Sequence, residues 1–263
     1  MTLENTAPEE IQSLLKPLEG ESFAFACHPG VPCFTECCRD LKLLLTPYDV
    51  LRLKKSLALD ASDFHEAHTR TEFDEQRGFP MVFLEMREDA RKTCPFVSEK
   101  GCRVYGDRPA ACRTYPIARA TRMHRSHDRV QEDYYVLEEE HCRGFQEKQR
   151  WTVEEWIKDQ GLDHYHEMNN QWMEIITHPR LNQGKRLSPQ QQQMFFLACY
   201  DLDKFRRFIS SGRFLQIFEL DEKEVKAVES GDEDLLKLSF KWIRFSFCGD
   251  PVLKMREKTQ NGQ

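Results

Sequence analysis

Cysteine spacing constrains this chain more than any other feature of its sequence. The chain contains 10 cysteines, and eight of them lie from residue 27 to residue 142. The other two, Cys199 and Cys248, lie in apolar sequence of helical character, where a free cysteine behaves as a small buried hydrophobe. The eight occur among turn-forming residues and are the candidate metal ligands: Cys27, Cys33, Cys37, Cys38, Cys94, Cys102, Cys112 and Cys142.

Three explanations for these eight cysteines stay open on spacing alone. Disulfides require an oxidising compartment, and the N-terminal sequence MTLENTAPEE lacks the basic start and apolar stretch of a secretory signal. Structural zinc takes four ligands, commonly from C-x2-C pairs, and the sequence contains no such pair. Iron–sulfur clusters also take four thiolates and tolerate more varied spacing. The spacing slightly favours iron–sulfur over zinc, and the cytoplasm, where thiols stay reduced, is the expected compartment.

Composition narrows the class of protein further. Hydrophobic residues make up 40% of the chain and charged residues 31%, which is typical of a folded protein with a charged surface. The net charge of −6 gives no general case for binding nucleic acid or an anionic membrane. No apolar run approaches the ~20 residues of a membrane helix. No motif in the sequence identifies a substrate, whether a protein or a small molecule. The sequence also lacks P-loop, dinucleotide-binding and G-x-S-x-G motifs.

The local patterns predict an α+β fold in four parts. A leader covers residues 1–26, with a short helix around Glu9–Leu15. A small α+β cysteine-cluster domain covers residues 27–150, a mostly helical region covers 151–250, and a flexible tail covers 251–263. Within the helical region, RLNQGKRLSPQQQQ is the best candidate for a linker.

Capping residues and β-forming runs predict individual elements. In the cysteine-bearing part we expect a helix capped by Thr46 with Asp49, a helix over Ser62–Glu72, and strands at Phe79–Met86, on both sides of a Ser98–Gly101 turn, and at Asp133–Glu139. In the second part we expect helices capped by Thr152 with Glu155 and by Ser188 with Pro189, a helix from Asp163 to Ile176, and helices beginning at Asp201, Asp221 and Asp232, the last ending near Gly249.

The second group of cysteines carries the most specific pattern, CPFVSEKGCRVYGDRPAACRTYPIAR. With the earlier group that ends in Cys37-Cys38, and with Cys142 followed by Arg143-Gly144, it resembles the YkgJ-type cysteine-cluster family, a zinc- or iron-chelating domain with a CxxCxxCC signature. The resemblance covers about residues 27–145. It departs from the signature at Cys27, which five residues, not two, separate from Cys33.

The resemblance implies that the matched cysteines, from Cys33 to Cys142, bind a metal, and it raises the odds of an iron–sulfur cluster, such as 4Fe–4S, over zinc. A flagellin lysine N-methylase carries a related cysteine domain, so the implied function is redox chemistry or the modification of a protein substrate. The alternative is structural zinc in a binding module whose helical part meets a partner.

Other residues near the cysteines have candidate roles in either case. Arg108 and Arg113 lie within the matched motif, where guanidinium groups would donate hydrogen bonds to the cofactor's sulfurs and offset thiolate charge. His28 and His141 each adjoin a cysteine, and imidazole is a good metal ligand. Eight cysteines already supply ligands for two four-ligand sites, so the sequence leaves the role of these histidines open.

The adjacent pair Cys37-Cys38 suggests how the cysteines are divided. In an extended backbone, neighbouring side chains point to opposite faces, so the two thiols would serve different centres. Eight cysteines at four ligands per centre also give two centres. A turn at this point would relax the geometric argument, and one of the pair would then be a ligand while the other packs.

Overall fold

The computed structural model describes residues 14–18, 22–124, 129–183, 186–211 and 213–256, except for the side chains of 121–131. The chain divides into two compact units, each of two segments. The first unit is Met1–Leu41 with Met86–Tyr165, and the second is Lys42–Glu85 with His166–Gln263. The fold is α+β, as the sequence predicts. The predicted division of the chain at residues 26, 150 and 250 stays a prediction.

The strands of the described residues are short and pair in antiparallel fashion. In chain order they are β1 (Leu15–Pro17), β2 (Ser22–Ala24), β3 (Leu44–Leu45), β4 (Thr69–Phe73), β5 (Pro80–Leu84), β6 (Val97–Ser98), β7 (Gly101–Cys102), β8 (Ile117–His124), β9 (Arg129–Leu137) and β10 (Arg150–Thr152).

Most of the helices follow residue 150. In chain order they are α1 (Pro47–Leu57), α2 (Ala61–His68), α3 (Ala110–Thr114), α4 (Val153–Asp159), α5 (Leu162–Ile176), α6 (Pro189–Tyr200), α7 (Leu202–Ser210), α8 (Arg213–Ile217), α9 (Glu222–Ser230) and α10 (Asp232–Ile243). Single 3-10 turns occur at Tyr105–Asp107 and Gly144–Gln146, and a π-helical turn at Arg244–Cys248 follows α10. Of the helices in the described ranges, none has both the length and the apolar character needed to cross a membrane.

The first unit is built from three small sheets: β1-β9-β8, β10-β2 and β6-β7. Its core cluster contains Phe23, Phe25, Ile117, Trp156 and Leu162. The ring of Phe25 lies edge-on to the ring of Trp156, with the two centroids 5.6 Å apart. Such aromatic contacts add to the free energy gained from apolar burial, so this cluster fixes the elements that surround the cysteines.

The second unit combines the sheet β3-β5-β4 with the remaining helices. Thr46 caps α1 in a capping box with Asp49, which satisfies backbone N–H groups at the start of the helix. Lys54 is only 7% exposed, and its ammonium group donates to both carboxylate oxygens of Asp203 at 2.9 and 3.0 Å. Asp203 also accepts the backbone N–H of Ala61 at 2.7 Å, so one carboxylate holds α7 to the start of α2.

Several predicted elements are confirmed. Capping boxes are present at Thr152 and Ser188, and Asp201 and Asp221 cap the helices that follow them. Two short strands flank the turn that ends at Gly101, and the strand predicted at Asp133–Glu139 belongs to β9. Gly249, with a φ of 67°, ends the last helical segment in the left-handed conformation that glycine adopts without strain.

Other boundaries were wrong for local reasons. The helix predicted over Ser62–Glu72 ends at His68, because the residues that follow pair with β5. The helix predicted from Asp163 begins one residue earlier, at Leu162, whereas the one predicted to begin at Asp232 does begin there. The strand β8 was not predicted at all.

Two further predictions concern the leader and the linker. The helix around Glu9–Leu15 lies mostly outside the described residues, and Leu15 itself begins β1. In the predicted linker, Pro189 and the glutamines after it form the start of α6.

We predict that Asp203→Asn lowers the free energy of unfolding by about 2 kcal/mol at neutral pH, because it leaves the buried Lys54 ammonium without a charged partner. Burial alone would raise the pKa of Asp203, but the hydrogen bonds from Lys54 and the Ala61 N–H lower it below its usual range. The carboxylate therefore stabilises the fold above its ordinary pKa, and this contribution is lost as the pH falls through the lowered pKa.

Urea unfolding at neutral and acidic pH measures this effect, and the difference between the two proteins should shrink with falling pH. Glu219→Gln, at an exposed ion pair with Lys254, is the matched control and should change stability little. Equal stability of Asp203→Asn and the unaltered protein at neutral pH would contradict the prediction.

Candidate metal centre

The eight candidate ligands all lie in the first unit. All are free thiols; Cys27 and Cys112 are exposed, and the other six are half-buried. Most occupy turns and loops, whereas Cys102 ends β7 and Cys112 lies in α3. The two cysteines outside this group, Cys199 and Cys248, are buried, as predicted. The reduced, partly accessible state of the eight is compatible with metal binding.

Consecutive turns fold the first cysteine segment tightly. Backbone N–H groups donate from Glu36 to the carbonyl of Cys33 at 2.9 Å and from Cys38 to that of Thr35 at 3.0 Å. Thr35 has a φ of 68°, in the left-handed region. The N–H of Cys94 then donates to the carbonyl of Cys38 at 2.9 Å, which holds the second cysteine segment against the first.

Four cysteines from the two ends of the domain interact electrostatically, and we call them the first quartet: Cys27, Cys33, Cys37 and Cys142. Burial raises the pKa of Cys27 to about 11, and the neighbouring charges of Cys37, Cys33 and Cys142 raise it further. Cys142 is also a direct neighbour of Cys33. The backbone N–H of Arg143 donates to the sulfur of Cys33 at 3.0 Å, a contact between residues 110 positions apart.

The other four sulfurs, Cys38, Cys94, Cys102 and Cys112, are called the second quartet. Cys94 and Cys102 are neighbours, and burial raises the pKa of both thiols. Cys102 is also near Cys37. Cys112 connects to this group through Arg108, whose positive charge interacts with Cys112 and with Cys102. The second quartet is therefore more loosely assembled than the first.

The structure corrects the premise used for Cys37 and Cys38. The backbone at Cys37 forms a turn and is not extended. The neighbouring thiol of Cys38, together with burial, raises the pKa of Cys37. The two side chains therefore lie side by side, and the division into two centres cannot be argued from opposite faces of a strand.

The chemistry of the donors fits a metal that prefers sulfur. Among the residues that the structure describes, no three His, Cys, Asp or Glu side chains meet the geometry of a metal site. The thiols of the first quartet are nevertheless neighbours whose negative charges would repel one another. A bound cation removes this repulsion and favours deprotonation of all four, so the thiol cluster fits a thiolate-bound metal or iron–sulfur centre.

The two predicted arginines have different surroundings. Arg113 is buried, and its guanidinium donates to the backbone carbonyls of Arg108 at 3.0 Å, Gln160 at 2.6 Å and Gly106. Arg108 stacks on the ring of Tyr105, 3.7 Å from its centroid, and donates to the Tyr105 carbonyl.

These contacts separate the roles of the two side chains. The charge of Arg108 lowers the pKa of Cys27 and Cys102 against the larger effect of burial, as expected for a group that offsets thiolate charge. Arg113 instead donates to backbone carbonyls of the loop before α3 and of the end of α4, and so holds these two segments together.

The histidines beside the cysteines pair with carboxylates. His28 Nε2 lies 3.6 Å from Glu147 Oε2, and His28 Nδ1 accepts the backbone N–H of Gly30. His141 Nε2 lies 3.7 Å from Glu139 Oε2. These contacts engage both ring nitrogens of His28 and one of His141 without a metal.

Sequence reasoning missed the role of Gly144. A Cβ atom at this position would lie 2.6 Å from Cε2 of Phe25 and 2.8 Å from the carbonyl oxygen of Ala26. Ala26 also donates its N–H to the Gly144 carbonyl at 3.1 Å. Glycine therefore allows the turn after Cys142 to approach the chain just before Cys27. The glycine next to a candidate ligand was the available signal.

One comparison with known proteins gives a match. Residues 26–143 match the family model CxxCxxCC, described as "Putative zinc- or iron-chelating domain". This range contains all eight cysteines of the two quartets. No curated protein and no solved structure shows significant similarity to the chain.

We predict that Gly144→Ala lowers the free energy of unfolding by about 1–3 kcal/mol, because the new methyl group overlaps with Phe25 and Ala26. Chemical unfolding of the metal-free protein measures the change. Gly106→Ala is the matched control, since a Cβ there meets nothing within 4 Å. A Gly144→Ala variant as stable as Gly106→Ala would contradict the close approach.

Proposed function

We propose that the first quartet holds an iron–sulfur cluster of the 4Fe–4S type. The premise is that residues 26–143 belong to the CxxCxxCC family of zinc- or iron-chelating domains. The observation that carries this proposal is the electrostatic interaction of Cys27 with Cys37, Cys33 and Cys142. These thiols come from both ends of the matched segment, and four thiolates are the usual ligand set of such a cluster.

The ligand chemistry supports iron–sulfur over zinc. The first quartet consists of sulfur donors only, and the neighbouring histidines pair with carboxylates. A backbone N–H donates to the sulfur of Cys33, and the backbone at Gly144 stabilises the charged form of Cys142. Hydrogen bonds of this kind from the main chain tune the reduction potential of iron–sulfur clusters.

We propose that the second quartet holds a second centre. Its support is the electrostatic interaction of Cys94 with Cys102 and the hydrogen bond from the backbone N–H of Cys94 to the carbonyl of Cys38. Arg108 places a positive charge near Cys102 and Cys112, which offsets the charge of thiolates there.

The cluster, when bound, supplies one-electron redox chemistry. The chain's own residues hold the sulfurs, limit the access of water and carry compensating charge. We propose that this chemistry supports electron transfer or the modification of a protein or small-molecule substrate in the cytoplasm, with neither membrane nor nucleic acid as the partner.

Structural zinc is the second candidate, because the family description names zinc beside iron. Four thiolates also bind zinc in closed tetrahedral sites. The domain would then be a folded binding module, and the helices after residue 150 would supply its partner surface.

We predict that protein purified without oxygen is brown and contains iron with acid-labile sulfide, because thiolates dominate the site. Metal analysis, sulfide assay and absorption near ~400 nm measure this. Colourless protein with stoichiometric zinc and little iron would establish the zinc alternative. Protein with neither metal, after reconstitution with each, would contradict both.

We predict that Cys33→Ser and Cys94→Ser each lose about half of the bound metal, because each removes one ligand of a different quartet. Spectroscopy should show a different centre missing in each variant. Cys199→Ser, at a buried thiol outside both quartets, is the control and should keep all of the metal. A protein that holds one four-ligand centre only, or two variants that lose the same centre, would contradict the two-centre proposal.

A further inference from the structure

The phenol oxygen of Tyr115 is a buried polar atom beside the first quartet. It has no hydrogen bond of good geometry with any residue that the structure describes. Its polar neighbours are the thiol of Cys142 and the carboxylate of Glu139, and burial, Cys142 and Glu139 together raise the pKa of Tyr115. A buried hydroxyl without a full hydrogen bond is costly, so its position needs a physical explanation.

The rest of the side chain is held firmly. Tyr115 follows α3, and its N–H donates to the carbonyl of Ala111 at 3.2 Å. Its ring lies edge-on to Phe25, with centroids 5.8 Å apart. Tyr115 and Cys142 both pack against the core cluster that contains Phe25. The core therefore fixes the hydroxyl near the sulfur of Cys142.

The surroundings of Cys142 and Glu139 favour Cys142 as the hydrogen-bond acceptor of the Tyr115 hydroxyl once its sulfur is a metal-bound thiolate. Its sulfur is next to Cys33, whose own sulfur accepts the N–H of Arg143. Glu139 already has His141 Nε2 at 3.7 Å from one carboxylate oxygen. A neutral thiol is a weak hydrogen-bond acceptor, whereas a metal-bound thiolate is charged and accepts more strongly.

We propose that Tyr115 is a positioning residue of the metal centre, whose hydroxyl donates a hydrogen bond to the Cys142 thiolate when metal is bound. This inference rests on the proposed function, because it requires that the first quartet binds metal. The hydroxyl is then only poorly satisfied in the metal-free protein and becomes fully satisfied in the metal-bound one. Tyr115 thereby favours the loaded state and lowers the electron density on one ligand sulfur.

The test compares the full chain with its Tyr115→Phe variant, both made metal-free and titrated anaerobically with Co²⁺ as a coloured probe of thiolate ligation. We expect Tyr115→Phe to bind Co²⁺ about tenfold more weakly. We also expect its sulfur-to-cobalt absorption to move to lower energy, because a sulfur without the hydrogen bond gives up charge more easily. The metal-free variant should be at least as stable in urea, since it loses a poorly partnered hydroxyl.

Tyr134→Phe is the matched control. Tyr134 packs on the same core cluster, but its hydroxyl donates to Glu132 at 2.6 Å. It should keep the affinity and absorption of the unaltered protein. Tyr115→Phe with unchanged affinity and absorption, in a chain that does bind Co²⁺, overturns the role of Tyr115 alone. A chain that binds no Co²⁺ through sulfur overturns the proposed function and this inference together.

Discussion

The close approach of the turn after Cys142 to the strand before Cys27 is the constraint on which the candidate site depends. Three backbone contacts produce this approach. Strand β2 pairs with β10, the N–H of Phe25 donates to the carbonyl of Gln149 at 2.8 Å, and the N–H of Ala26 donates to the carbonyl of Gly144. The indole of Trp151 adds a hydrogen bond to the Phe25 carbonyl at 2.9 Å. None of these contacts involves a sulfur. The fold therefore brings the ends of the cysteine segment together through ordinary β pairing and aromatic packing, and metal binding uses a neighbourhood that already exists.

That neighbourhood has an electrostatic consequence. Burial and neighbouring sulfurs raise the pKa of several thiols, so the metal-free protein keeps them protonated near neutral pH. Metal must then displace protons from ligands that are already close to each other. The packed core already holds the ligands near one another, so folding supplies part of the entropy cost of assembling them. The remaining cost of metal binding is the deprotonation of the thiols. Arg108 reduces this cost, because its positive charge lies near Cys27 and Cys102.

The sequence predicts those parts of the fold that depend on local chemistry. The capping boxes at Thr46, Thr152 and Ser188 are examples, because a cap needs only a side chain and the N–H groups three residues away. Element types were harder where tertiary pairing decides them: Thr69–Phe73 became a strand because β5 lies beside it.

The candidate site, like the fold, is predictable only where local sequence decides it. Cysteine spacing identifies candidate ligands but not which of them meet, since the contact between Cys33 and Arg143 joins distant segments. Arg113 illustrates the limit most clearly. Its place in the motif suggests a role toward sulfur, whereas its guanidinium donates to three backbone carbonyls. Sequence position cannot show whether such a group faces a cofactor or a loop.

The two quartets interact through Cys37, so they cannot be treated as independent. The thiol of Cys37 is next to that of Cys38, and it also interacts electrostatically with Cys27 and with Cys102. Charge placed at one quartet therefore affects the pKa of thiols in the other, because screening by water is weaker in partly buried protein than at a surface. A four-thiolate centre in the first quartet would carry net negative charge, whereas the protonated thiols of the metal-free protein are neutral, so filling it would make deprotonation of the second quartet harder. On the two-centre proposal, the adjacent cysteines thus couple the centres as well as divide the ligands, and the positive charge of Arg108 near Cys102 and Cys112 offsets part of the repulsion between them.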